Sequence, residues 1–196
     1  QEDAPRALAN ANVILGRFEQ AQECFASALD AAPEDIGLIR TVAEFGMRTG
    51  RFELAEAPLR RLATGHIEAT PQQRRWSRRA LATWLAQTGR YPDLQEALRL
   101  VAENLAEEPS SVADRRAKAD LLARHPRPSK RQEAAHLLEA LVDSPQANDE
   151  DRWNLVQLHA AEQRWERAVP HLRVLSRPDA LRMYVRYLID SGALEE

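Results

Sequence analysis

A short phrase of glycine, arginine and an aromatic residue recurs along this chain and constrains its fold more than any other feature. It reads Gly16-Arg17-Phe18, Gly50-Arg51-Phe52 and Gly89-Arg90-Tyr91, with a degenerate copy at Gln163-Arg164-Trp165. The first two glycines lie 34 residues apart, and a period of this length is typical of stacked supersecondary units. The sequence therefore predicts an array of similar units.

Apolar residues at helical spacing lie on both sides of the phrase. After the first copy, Ala21, Phe25 and Leu29 form one stripe that ends before Pro33, as expected of an amphipathic helix. Equivalent stripes follow in the later units, at Ala55 to Leu62, Leu94 to Val101, Ala134 to Leu141 and Ala168 to Leu175. A second apolar run precedes each turn. Each unit is therefore predicted to be a helical hairpin, with the aromatic residue packed between its two helices.

Local signals place several helix starts and irregularities. Thr70-Pro71-Gln72-Gln73 reads as an N-cap, a proline at the first helical position and a capping-box glutamine. Ser129 to Gln132 predicts a second capping box in the fourth unit. Pro58 and Pro170 fall inside predicted second helices, where proline bends a helix. We expect the fourth unit, which lacks the glycine and the aromatic residue, to be the least regular.

Taken together, these residues resemble the tetratricopeptide repeat family. The likeness rests on the 34-residue period, the glycine before an aromatic residue, and the small and large apolar positions of the second helices, and it extends from about Glu2 to Gly192. It implies an all-α, right-handed α-solenoid of antiparallel helix hairpins with about eleven helices. We expect a single array over residues 1–196, excised from a longer protein. Its repeats are expected at about 2–35, 36–69, 70–109, 110–148 and 149–177, followed by a half repeat at 178–192.

Residue patterns of catalysis and of metal or cofactor binding are missing from the sequence. Its five histidines have no zinc-protease spacing, and the single cysteine, Cys24, excludes an internal disulfide and a four-thiolate zinc site. With only seven glycines, most of them in predicted turns, a phosphate-binding loop is not expected. We therefore expect no enzyme activity, no catalytic residues, no metal and no cofactor.

Charge and hydropathy restrict the class of partner. The net charge of -3 gives no overall cationic field, so nucleic acid is not the expected partner. The chain has no run of about 18 apolar residues, which predicts a soluble segment without membrane contact. The single cysteine fits a reducing compartment such as the cytoplasm.

The resemblance also implies a concave groove lined by the first helix of each repeat. The expected groove residues are those at the family's contact positions: Arg6, Asn10, Arg40, Glu44, Trp76, Arg79, Thr83, Arg182 and Arg186. Arginine presents a planar fork of donors that suits carboxylates, and Trp76 adds an aromatic anchor of the kind enriched at binding hot spots. The plainer interpretation is a solvated face on which the arginines pair with nearby acids.

The leading functional hypothesis is a non-catalytic scaffold that binds a protein or peptide, with a preference for acidic segments, in this groove. Two alternatives remain open: a non-catalytic arm of a larger enzyme, such as a kinase or transferase, and an RNA-binding helical-repeat module. The last apolar run, with Tyr184 and Leu188, also predicts end-to-end self-association through the half repeat.

Overall fold

The described part of the chain, residues 3–192 of the computed structural model, is all-α. Eleven helices lie within that range, which confirms the predicted fold class and helix number. Their bounds are α1 Asp3–Ile14, α2 Phe18–Ala31, α3 Ile36–Thr49, α4 Glu53–Ala63, α5 Pro71–Leu85, α6 Tyr91–Glu107, α7 Val112–Ala123, α8 Pro128–Val142, α9 Asp149–Ala161, α10 Trp165–Leu172 and α11 Pro178–Ser191.

The chain forms two compact units. Unit 1 is Gln1–Asn104 and unit 2 is Leu105–Glu196, of which the structure describes 3–104 and 105–192. Within unit 1, α1 packs on α2 and α3 on α4, while α7 packs on α8 and α9 on α10 within unit 2. Each of these pairs is joined by a short turn, which makes its helices antiparallel neighbours. The predicted repeat bounds and the single continuous array remain predictions.

Side-chain caps set several of the helix starts. Thr70 Oγ1 accepts the N–H of Gln73 at 3.2 Å, and Gln73 Oε1 accepts the N–H of Thr70 at 2.8 Å. Pro71 occupies the first helical position, so the capping box predicted for α5 is confirmed. The second predicted box is wrong: α8 already begins at Pro128 after Arg127, which leaves Ser129 inside the first turn. Proline at the first helical position needs no donor there and starts this helix in place of the serine.

Three hairpin turns share one backbone geometry. Gly16, Gly50 and Gln163 are left-handed, with φ of 71°, 74° and 58°. In each turn the next residue donates its N–H to a carbonyl five residues back; the N to O distances are 2.8, 3.0 and 2.8 Å. This bond satisfies a carbonyl that the helix end would otherwise leave unpaired. The degenerate phrase therefore forms the same turn without glycine.

The aromatic residue of the phrase is buried in one repeat and exposed in two others. Phe52 is 1% exposed, and its backbone approaches α3 so closely that a Cβ on Gly46 would lie 2.8 Å from Phe52 Cα. That residue fits the predicted packing between paired helices. The prediction is wrong for Phe18 and Tyr91, which are 36% and 41% exposed. The Phe18 ring instead lies 6.3 Å from that of Phe45 in α3, on the next hairpin.

Both prolines in second helices are accommodated. Pro58 lies within α4 and Pro170 within α10, as the sequence predicts. The apolar stripes around them are buried: Ala55, Leu59 and Leu62 in α4 are at most 1% exposed. Burial of these stripes holds the hairpins together, because each buried leucine side chain contributes roughly 1.5–3 kcal/mol.

Candidate functional site

A cleft in unit 1 lies between the N-terminal half of α3 and that of α5. It encloses about 510 Å³, within the range of small ligand sites. The residues that line it are Ile36, Gly37, Arg40, Thr70, Gln72, Gln73, Trp76 and Arg79. Three of the nine predicted groove residues, Arg40, Trp76 and Arg79, therefore meet in one place.

The capping box of α5 determines where two of these side chains lie. Because Thr70 and Pro71 fix the first turn, Trp76 and Arg79 follow three residues apart and share one helix face. Arg40 reaches the same space from α3, whose start is fixed by Asp35: its Oδ1 accepts the N–H of Leu38 at 3.0 Å. The site is thus built from two helix starts.

Arg40 and Trp76 are in direct contact. The Arg40 Cζ lies 5.3 Å from the centroid of the Trp76 ring, a cation–π geometry worth about 0.5–1 kcal/mol at an exposed site. Arg40 Nε also donates to Glu44 Oε1 at 3.0 Å. Both partners of this ion pair are more than half exposed, so its main effect is to orient the guanidinium over the indole ring.

Arg6 and Asn10, the predicted groove residues of α1, differ in environment. Arg6 Nη2 donates to Thr41 Oγ1 at 3.4 Å, and Arg6 Nη1 lies 3.6 Å from Asp35 Oδ2. These contacts tie α1 to the start of α3, beside the cleft. Asn10 is exposed and does not line the cleft. Its predicted role as a groove residue stays a prediction.

The remaining predicted residues lie outside the cleft lining. Thr83 Oγ1 donates to the carbonyl of Arg79 one turn earlier, at 2.9 Å. Arg182 and Arg186 belong to α11 in unit 2, where Arg182 pairs with Asp179, and Arg186 Nε lies 3.8 Å from Asp190 Oδ2. The cleft of unit 1 forms without either of these arginines.

The sequence did not single out the polar and backbone part of the lining. Gly37 and Gln72 line the cleft because they lie in the first turns of α3 and α5. Their position beside the predicted helix starts was the one sequence signal that could have identified them as lining residues. Unit 2 holds a separate cavity of about 460 Å³, also missed, in which Asn154 Nδ2 donates to Asp120 Oδ1 at 3.0 Å. Those two residues lie 34 apart, so the repeat period could have paired them.

Metal-binding clusters and membrane-spanning helices are both missing from the described residues 3–192. This range contains no group of three or more histidine, cysteine, aspartate or glutamate side chains arranged to hold a metal ion. None of its helices combines the length and apolar character that crossing a membrane requires.

Known proteins resemble this chain in structure rather than in sequence. No family model matches it, and no curated protein matches it at a significant level. The fold is similar to TTC0263, a thermophilic tetratricopeptide repeat protein of Thermus thermophilus, with a TM-score of 0.69 and 18% identity over 96% of this chain and 100% of that one. It is also similar to yeast Tom70, with a TM-score of 0.61 and 19% identity. That likeness covers 95% of this chain and 39% of Tom70. Eleven helices in the described residues, eight of which form four pairs joined by short turns, together with these likenesses, show that the chain has the fold of tetratricopeptide repeat proteins.

Proposed function

We propose that unit 1 is a non-catalytic scaffold that binds an extended, acidic peptide segment in the cleft between α3 and α5. The observation that carries the proposal is the convergence of Arg40, Trp76 and Arg79 on one cleft from two different helices. Arginine and tryptophan are among the residues most enriched at positions that dominate binding energy. The same role applies if the chain is the binding arm of a larger enzyme, such as a kinase or transferase.

The chemistry of the cleft favours a carboxylate next to an apolar group. The indole of Trp76 supplies a flat apolar surface, and the guanidinium of Arg40 lies over it. A peptide side chain packed on the indole would bring a neighbouring carboxylate within reach of an arginine fork, which binds carboxylates through two parallel hydrogen bonds. An extended peptide also needs partners for its backbone, and Gln72 and Gln73 place amides in the lining.

The proposal is tested by titrating the whole chain with dye-labelled acidic peptides and with matched peptides in which glutamine replaces glutamate. Trp76→Ala should weaken binding of the acidic peptides by at least about 30-fold, the loss typical of a hot-spot residue. Arg40→Gln should reduce the preference for acidic over neutral peptides. Arg61→Gln is the matched control, because Arg61 belongs to α4 and pairs with Glu34 at 3.0 Å, away from the cleft lining.

Two results would contradict the proposal. One is equal binding of acidic and neutral peptides by the unaltered chain. The other is binding by the Trp76→Ala chain at full strength, with helix content unchanged by circular dichroism. Salt-sensitive binding of RNA in place of any peptide would instead support the helical-repeat alternative.

We also propose that a second copy of the chain covers α11. Leu181 and Val185 lie as far before Gly192 as Ile39 and Ala43 lie before Gly50, and both glycines are left-handed helix caps. Ile39 and Ala43 are fully buried, whereas Leu181 is 63% and Val185 41% exposed. Multi-angle light scattering should show self-association that Leu181→Arg abolishes and that Gln157→Arg, an exposed control in the same unit, leaves intact. A monomer at high concentration would contradict this proposal.

A further inference from the structure

Unit 2 buries two histidines next to its two hairpin turns. His125 follows α7 and is 5% exposed, and His159 near the end of α9 is 1% exposed. The carbonyl of His159 accepts the N–H of Arg164 in the left-handed turn. At the same place in the hairpins of unit 1 stand Asn12 and Gly46, whose carbonyls accept the equivalent bonds. Neither of those two residues can ionise near neutral pH.

The geometry of His125 requires an uncharged ring. Its Nδ1 accepts the backbone N–H of Arg127, the residue just before α8, at 3.1 Å. A protonated imidazole carries hydrogen on both nitrogens and accepts nothing, so this bond exists only in the neutral form. Burial, and after it the nearby cations Arg127, Lys130 and Arg131, lowers the pKa of His125.

His159 is enclosed by charges from three segments. Glu139 of α8 lies on one side, with its Oε1 3.7 Å from His159 Nε2. Arg164 of the turn and Arg167 and His171 of α10 also face the ring. Within the described residues, His159 Nδ1 has no hydrogen-bond partner. Burial is the main cause that lowers the pKa of His159, and Glu139 opposes it only in part.

Glu139 is already shared between a guanidinium and a second imidazole. Its Oε1 lies 3.6 Å from Arg167 Nη1, and its Oε2 lies 3.2 Å from Nδ1 of the exposed His136. The distance to His159 is too long for a hydrogen bond. A protonated His159 would therefore lie near several cations and near one carboxylate that already contacts other groups. Its site is closed to water, so it is an unfavourable place for a positive charge.

We propose that unit 2 is an acid-sensitive module in which protonation of His125 and His159 opens the α7–α8 and α9–α10 turns while unit 1 stays folded. A protonated His125 loses its bond to the N–H at the start of α8. A protonated His159 leaves its site for water and withdraws the end of α9 from α10. Unit 1 holds one histidine, His66, which is exposed and whose Nδ1 lies 2.7 Å from Thr64 Oγ1.

The direction of the pH dependence follows from proton linkage. Both histidines have a lower pKa in the folded unit than the value of about 6.5 in an unfolded chain. The open form therefore binds more protons as the pH falls through about 6.5, and the closed form is lost progressively below that value. Above about pH 7.5 both rings are neutral in either form and the closed unit is fully favoured.

The test is hydrogen exchange of the whole chain at about pH 7.5 and about pH 5, corrected for the intrinsic pH dependence of exchange. Protection in α8 and α10 should fall at least about tenfold on acidification, while protection in α2 and α4 stays constant. The double variant His125→Asn/His159→Asn should lose most of this response, because asparagine keeps a polar side chain of similar reach without the titration. The remainder comes from His171 in α10, whose pKa burial also lowers. His66→Asn, a control at the exposed histidine of unit 1, should keep the response.

A measurement on the unaltered chain keeps the proposal falsifiable if the double variant does not fold. Nuclear magnetic resonance of the imidazole carbons should show His125 and His159 remaining neutral until the amides of α8 and α10 open. Constant protection of α8 and α10 down to about pH 5 would overturn the proposal. So would a free titration of both rings near pH 6.5 with unit 2 still closed.

Discussion

Replacing Gln163 with glycine should stabilise the α9–α10 hairpin. Gln163 holds a left-handed backbone with φ of 58° in a turn where Gly16 and Gly50 hold φ of 71° and 74°. For a residue with a side chain this conformation costs roughly 1–2 kcal/mol, and glycine removes that cost. Glycine also has more conformational freedom in the unfolded chain, which lowers the stability of the folded state by roughly 0.5–1 kcal/mol. The expected net gain is about 0.5–1 kcal/mol.

The structure allows this effect to be separated from packing. An added Cβ at Gly16 or Gly50 would meet no heavy atom within 4 Å, so the cost of a side chain in this turn comes from the backbone conformation alone. The reverse change, Gly50→Gln, should therefore destabilise unit 1 by a similar amount. Gln163→Ala is the matched control, because alanine pays the same backbone cost and should leave stability within about 0.5 kcal/mol of the unaltered chain.

The assay is native-state hydrogen exchange of the amides in α9 and α10, since two compact units need not unfold in one transition. Gln163→Gly should slow exchange about two- to fivefold, which corresponds to the expected gain in free energy. The reasoning would be refuted if Gln163→Gly and Gln163→Ala had the same effect. Unchanged stability of Gly50→Gln would refute it as well.

Three further substitutions test how helix contacts and caps contribute to stability. Gly46→Ala should lower the free energy of thermal unfolding by about 1–3 kcal/mol, because the new methyl group would lie 2.8 Å from Phe52 Cα. Gly46→Ser adds the same Cβ and should lower it at least as much. Arg116→Met should lower the free energy of urea unfolding by about 2–4 kcal/mol, because Arg116 Nε and Nη2 donate to the nearly buried carboxylate of Asp151 at 2.7 and 2.8 Å. Unchanged stability would show that water replaces the guanidinium. Thr70→Ala should lower the free energy of unfolding by about 1 kcal/mol and weaken peptide binding, because it removes the cap at the start of α5. Thr70→Ser keeps a capping hydroxyl and should retain both stability and binding.

The repeat phrase predicted the fold class and the number of helices because the period of the array and the spacing of apolar residues both reflect local geometry. A separate local pattern gave the correct cap at Thr70, where Thr70, Pro71 and Gln73 all favour the same helix start. The capping box at Ser129 failed because Pro128 competes for the same helix start, and the pattern alone does not rank the two. The packing predicted for the aromatic residues failed at Phe18 because its ring contacts the following hairpin, at a sequence distance that local patterns do not reach.

The candidate site also has one part that the sequence predicted and one part that it did not. Arg40, Trp76 and Arg79 could be named from the sequence because the repeat register assigns each to a first helix. The sequence placed them in one groove with six other residues, but it could not predict that only these three of the set line one cleft, since this depends on the distance between α3 and α5. The same holds for the buried histidines of unit 2: the sequence contains five histidines without marking any of them, and only packing separates His159 from the exposed His136.

By itself, the sequence determined the helical hairpin as the unit of this protein, because glycine turns, caps and apolar stripes act within a few residues. The tertiary structure decided which side chains meet across hairpins. It placed the guanidinium of Arg40 over Trp76, left Leu181 exposed where Ile39 is buried, and closed two imidazoles into unit 2. These outcomes depend on distances between helices, which are set by the packing of whole side chains, and no local pattern encodes them.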